Sequence, residues 1–181
     1  KRPFLIGIAG AHSGAGKTTL AAAIIKYFTT RSPVYPFTYS PRIGAIKYTK
    51  TAFYTSIIDD PPIILQEDKD TAALSEAGAE TVLWVQSPPS EIEETLTIAL
   101  AQLSLIDCIV IEGNSAIEFL KPDVVIFLFG HDTDHIKSSA QKLLPIADIT
   151  LTRNDAKNID GVIKAVENTA KEKEIKRLLQ E

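Results

Sequence analysis

Short, uninterrupted apolar runs alternate along this chain with longer stretches whose apolar residues recur every three or four positions. The runs at 4–9, 43–47, 81–85, 108–112, 124–129 and 149–152 carry few polar interruptions. That is the pattern of parallel strands covered on both faces, since a half-exposed strand alternates polar and apolar residues. Ile92, Leu96, Ala99, Leu100 and Leu103 make a helical stripe within 90–104. Ile159, Val162, Ile163, Val166 and Ala170 make another within 158–170, with lysines and glutamates opposite. Ser90 and Glu93 read as a capping box for the former helix. Strands alternating with helices predict one α/β domain over 1–181, with a mostly parallel sheet between helical layers.

Two stretches depart from this rhythm. Residues 32–42 carry three prolines with Tyr35, Phe37 and Tyr39 alternating, which predicts at best an edge strand or flap whose rings cover the core. Residues 49–69 show no periodicity and predict a lid or mobile loop.

Nineteen Lys and Arg against 23 Asp and Glu leave a net charge of −4, which argues against a broad basic face for nucleic acid or anionic lipid. A single Cys excludes a disulfide framework and a thiolate zinc cluster, and predicts a reducing, cytoplasmic setting. No apolar run is long enough to span a membrane, and no cleavage site follows the first residues. The chain has no Met, so Lys1 is not expected to be a translated start.

The sharpest local signal lies between the first predicted strand and a helix-forming run: Gly10-Ala11-His12-Ser13-Gly14-Ala15-Gly16-Lys17-Thr18-Thr19. This is a phosphate-binding loop in the context such loops require. Gly14 and Gly16 allow the backbone to turn its N–H groups inward as an anion nest, and the helix start adds its positive dipole end. Ser13 through Thr19 are the predicted nucleotide contacts. Lys17 is expected to reach the β- and γ-phosphates, and Thr18 to offer its hydroxyl to Mg²⁺. Ala11 stands where the motif usually has its first glycine, which is tolerable if its φ stays negative.

A phosphate loop also needs carboxylates. Glu112 ends a buried strand and is expected at the carboxyl end of the sheet, where open α/β proteins bind ligands; Asp107, at the other end, is expected to cap. Asp59, Asp60, Glu67, Asp68 and Asp70 are further candidates, Asp70 being equally readable as the N-cap of a helix ending at Gly78. His131 and His135 are a weak chelating pair, and Cys108 reads as packing. After the last strand, Thr152-Arg153-Asn154-Asp155 is similar to the [NT]-K-x-D pattern of GTP-binding proteins. Asp155 would accept from the guanine N–H groups while Arg153 stacks on the base.

Several of these elements together resemble the MobB family, P-loop proteins associated with molybdopterin guanine dinucleotide synthesis. The likeness rests on Gly16-Lys17-Thr18-Thr19-Leu20, Ile43-Gly44-Ala45-Ile46-Lys47, Asp68-Lys69-Asp70-Thr71, Glu76-Ala77-Gly78-Ala79 and Val110-Ile111-Glu112-Gly113, in family order. The chain departs from the family at Tyr48-Thr49-Lys50-Thr51 and at Asn114-Ser115-Ala116. The resemblance implies a three-layer α/β/α P-loop NTPase of the metallochaperone-like GTPase type. By it, Lys17, Thr18, Asp70 and Glu112 serve triphosphate and Mg²⁺, and Lys47 lies on the substrate side. The role it implies is accessory: slow, Mg²⁺-dependent GTP hydrolysis with a pterin cofactor, a nucleotidyltransferase partner and a homodimer. An ATP-dependent metabolite kinase or ligase and a nickel-type metallochaperone are the alternatives.

Overall fold

Apolar residues line both faces of Phe4–Gly10 (β1), so this strand is buried along nearly its whole length and takes an interior place in the sheet. The computed structural model describes residues 2–31, 33–130 and 136–179. After β1 come α1 (Lys17–Thr30), β2 (Ile43–Lys50), β3 (Ser56–Ile58), α2 (Pro61–Ile64), α3 (Asp70–Glu76) and β4 (Thr81–Ser87). Then follow α4 (Ile92–Gln102), β5 (Cys108–Glu112), α5 (Asn114–Leu120), β6 (Val124–Leu128), α6 (Ser138–Gln141), β7 (Ile149–Leu151) and α7 (Ile159–Leu178). Among the described residues the sheet has seven strands in the order β3-β4-β2-β5-β1-β6-β7, all pairs parallel except β3 with β4.

Strand alternation divides the core into two layers. Ile6, Ile8, Ala45, Val110 and Ile126 face Leu20, Ile24 and Phe28 of α1, Leu74 of α3 and Val162 and Val166 of α7. Their neighbours Leu5, Ile46, Ile109, Ile111 and Phe127 face Leu96 and Ala99 of α4, Ile117 of α5 and Ala140 of α6. A parallel sheet with apolar residues on both faces needs helices on both sides, and the chain supplies them. The expected three-layer α/β/α architecture is therefore present.

The six anticipated strands form within a few residues of their expected limits. Other expectations need correction. Residues 49–69 are not structureless: β2 runs on to Lys50, β3 adds an antiparallel edge beside β4, and α2 follows. Residues 33–42 form no strand; Phe37 instead sits edge-on to Phe4, Phe28 and Tyr39, each 6.2 Å away, as a plug at the end of the core. Asp107 anchors that plug, accepting from the Tyr39 hydroxyl at 2.9 Å and the Arg42 N–H at 2.8 Å. The capping box is absent. Pro88 and Pro89 lead a 3-10 turn, so α4 starts at Ile92 with Glu91 as its N-cap and no side-chain cap bond. The last helix continues past its apolar stripe to Leu178.

Candidate functional site

The parallel register brings the carboxyl ends of three central strands together: Ile8 of β1 and Lys47 of β2 both pair with Glu112 of β5. The glycine-rich loop grows out of this end. Ala11 is fully buried and its N–H donates to Leu128 O at 3.0 Å, so the strand geometry continues one residue into the loop. Among the described residues only Asp68 and Lys121 combine a side chain with a positive φ, so Ala11 meets the condition for replacing the usual glycine. Gly14 and Gly16 have φ of 79° and 100°, the left-handed region where a Cβ is strained. Gly16 is also the N-cap of α1 and makes no side-chain cap, which leaves the first-turn N–H groups for an anion.

Lys17 folds back over the end of β1. A Cβ on Gly10 would lie 2.9 Å from the lysine stem, so the absence of a side chain there makes the path of Lys17. Its Nζ donates to His12 O at 3.3 Å. Burial pushes this ammonium below the ordinary lysine value, with Glu112 offsetting part of the effect. A nearby polyanion would restore what burial removes. Ser13 and Thr19 are exposed and Ala15 is buried.

Thr18, Asp70, Glu112 and Lys47 form one cluster beside the loop. The Thr18 hydroxyl donates to Glu112 Oε2 at 2.9 Å. Lys47 Nζ lies 2.6 Å from Glu112 Oε1 and 2.5 Å from Asp70 Oδ2. Glu112 is 2% exposed, so this carboxylate is held by Thr18 and Lys47 rather than by water. Burial alone would lower the Lys47 ammonium, but the field and hydrogen bonds of Glu112 and Asp70 outweigh it and hold the group above its ordinary value. Burial would likewise raise Asp70, and Lys47 and Thr18 instead hold it below the usual aspartate value. Asp70 is not the N-cap of α3: Lys69 takes that position, and Asp70 opens the first turn with its carboxylate directed to Lys47.

Hard oxygen donors from a hydroxyl and two carboxylates match Mg²⁺ chemistry, and the spot they surround already favours a cation, since Lys47 places one there. Among the described residues no three His, Cys, Asp or Glu gather to hold a metal. His131 and His135 lie outside the described residues. Asp59, Asp60, Glu67 and Asp68 are exposed and outside the cluster. Cys108 is buried, and burial pushes its thiol far up, which fits packing rather than chemistry.

One residue of the site escaped the sequence reading. Asn114, just past Glu112-Gly113, donates from Nδ2 to Gly10 O at 3.0 Å and accepts at Oδ1 from Gly10 N–H at 3.1 Å. This paired amide contact ties the end of β5 to the start of the loop. An amide side chain two residues after an acid at a strand end was the only available signal.

At the end of β7, Asp155 Oδ2 accepts from the Thr152 N–H at 2.9 Å and from its hydroxyl at 2.6 Å. Those bonds hold the exposed Asp155 below its ordinary value, so the carboxylate stays ionised and able to accept. The Arg153 N–H donates to Gly130 O at 3.3 Å. Arg31 pairs with Asp160 and Arg42 with Glu80, so neither is directed at the loop.

Comparison with known proteins adds a family. Residues 5–148 match the family model described as "Molybdopterin guanine dinucleotide synthesis protein B". No curated protein matches the chain. Among solved structures, the LAO/AO transport system kinase is similar at 19% identity and a TM-score of 0.49, over 91% of this chain and 45% of that one. The signal recognition particle receptor FtsY from Elizabethkingia anophelis is similar at 12% identity and a TM-score of 0.45, over 94% and 56%. HypB from Helicobacter pylori, solved in complex with nickel, is similar at 15% identity and a TM-score of 0.43, over 94% and 88%. The chain thus spans about half the length of the first two, at 45% and 56%.

Proposed function

The chain belongs to the molybdopterin guanine dinucleotide synthesis protein B family, and on that footing we propose that it binds Mg-GTP on the 10–19 loop and acts as an accessory protein in assembling a molybdenum or tungsten pterin cofactor. The observation that carries the reading is the bond from the Thr18 hydroxyl to buried Glu112, because it joins the lysine-threonine end of a glycine-rich loop to a carboxylate at the shared end of parallel strands.

In this reading the loop N–H groups and Lys17 bind the β- and γ-phosphates, and Thr18, Glu112 and Asp70 would hold Mg²⁺. The ion, when bound, neutralises phosphate charge. Glu112, buried and fixed by Thr18, orients the attacking group. Lys47, paired with Glu112 and Asp70, would hold these carboxylates in place and lies on the substrate side. Thr152, Arg153 and Asp155 take the guanine, with Asp155 accepting from its ring N–H and amino group. Hydrolysis is slow in the isolated protein, since Arg31 and Arg42 are engaged by carboxylates elsewhere. A homodimer or a nucleotidyltransferase partner completes the site.

Calorimetric titration with GTP and ATP in Mg²⁺ tests the reading. Tighter GTP binding is expected. Equal or tighter ATP binding would overturn the guanine assignment, and no binding of either would overturn the whole.

A further inference from the structure

The backbone pairing of β1 with β5 ends at Ile8 and Glu112. Two residues further along each strand stand Gly10 and Asn114, and there a side chain takes over from the ladder. The Asn114 amide donates to Gly10 O at 3.0 Å and accepts from Gly10 N–H at 3.1 Å, so both backbone groups of the glycine are matched as a facing strand would match them. Asn114 is the first residue of α5, and its amide turns back to the phosphate loop rather than to the backbone of its own helix. Only an amide returns one donor and one acceptor from a single planar group. An ionised Asp lacks the donor, and Ser or Thr offers one oxygen.

The turn between Glu112 and Asn114 has no slack. Gly113 has a φ of 141°, and a Cβ there would lie 2.8 Å from Tyr48 Cβ and 3.1 Å from Tyr48 O, so the chain is seated on β2 at this point. Tyr48 is itself fixed, its buried hydroxyl meeting the carbonyl and hydroxyl of Ser87 at 3.1 Å. Gly10 in turn carries the stem of Lys17, which passes 2.9 Å from the position a Cβ would take. A continuous set of contacts therefore runs from buried Glu112 through Asn114 and Gly10 to the lysine of the phosphate loop, while the Thr18 hydroxyl meets Glu112 directly at 2.9 Å.

We propose that Asn114 is a positioning residue for the hydrolytic step, a side-chain rung that keeps the phosphate loop and Glu112 in register where the strands diverge. The inference rests on the reading of this site as a Mg-nucleotide site. Asn114 touches neither phosphate nor metal and acts through Gly10 and Glu112. Displacing a reacting group by about 1 Å can cost ~100-fold in rate. The loop N–H groups and Lys17 still bind phosphate when the rung is removed, so rate suffers where affinity does not.

The test measures phosphate release by the full chain at saturating GTP in Mg²⁺, with GTP affinity by calorimetry and stability by thermal melting. Asn114→Ala removes the rung, and Asn114→Leu removes it while keeping the volume. In both, kcat should fall about tenfold or more while GTP affinity changes less than about threefold. Asp107→Asn, at the opposite end of β5, serves as the stability control: it should lower the melting temperature and leave kcat unchanged. Wild-type kcat in either Asn114 variant would overturn the proposal, and recovery in Asn114→Leu alone would assign the residue to packing. Matched losses of rate and affinity, or an equal loss of rate in Asp107→Asn, would also overturn it. A wild type that binds GTP without measurable turnover overturns this inference alone, whereas a wild type that binds no nucleotide overturns the site reading beneath it.

Discussion

Lys47 and Glu112 stand opposite each other in the β2–β5 register, and their side chains meet at 2.6 Å. A cation from the protein itself thus satisfies a buried carboxylate, with Asp70 as its second partner at 2.5 Å.

Removing that cation leaves Glu112 charged, buried and short of a partner, which costs about 3–5 kcal/mol. Lys47→Met should therefore lower the midpoint of urea unfolding, and the double variant Lys47→Met/Glu112→Gln should recover most of the loss. An unchanged midpoint in the single variant would show that the pair contributes nothing. The pH dependence has a fixed sign. Lys47 is held above 10.5, so its contribution is complete below that pH and disappears as pH rises through the higher folded value. Asp70 is held below 3.8, so its contribution is complete above that pH and disappears as pH falls. The wild-type advantage over Lys47→Met should be level between those limits and shrink outside them.

Lys17→Ala should cost triphosphate affinity by about 10- to 100-fold, the worth of one charge-assisted hydrogen bond. Burial disfavours the Lys17 charge in the free protein, so the variant should unfold no earlier than wild type. Calorimetry and thermal melting together check both halves. Undiminished affinity would remove Lys17 from the phosphate site.

Glu112→Gln keeps size and much of the hydrogen bonding while removing charge. GTP turnover should fall by about 100-fold, the usual yield of a positioned acid or base, with nucleotide affinity changed far less. Phosphate-release assays at saturating GTP give the rate. Equal losses in rate and affinity would make Glu112 a binding group only.

Asp155→Asn replaces an acceptor by a mixed donor and acceptor. GTP affinity should drop about tenfold or more while ATP is hardly affected, since only guanine offers two donors to that carboxylate. Parallel titrations decide it, and matched losses would reassign Asp155 to the local turn it forms with Thr152.

Long apolar runs made the central strands legible, because burial on both faces leaves no other composition for them. The glycine-rich loop was legible because its conformation demands glycine at Gly14 and Gly16. Elements defined by few residues were not. β3 has three residues and α2 four, too short for any periodicity to emerge. α5 was hidden because it has only seven residues, and its first, Asn114, spends its amide on Gly10. The acid at 112 could be placed by its strand, but its partner Lys47 came from the family likeness alone. No local pattern tells a buried functional lysine from one at a solvated strand end.

Both outermost strands of the sheet, β3 and β7, span only three residues. So brief a margin offers few unpaired amides to a neighbouring molecule, and zipper-like growth of the sheet between copies is correspondingly discouraged. Any twofold association of this protein must then rely on its helical flanks or on the rim around the phosphate loop, where joining two copies would also alter access to the bound nucleotide.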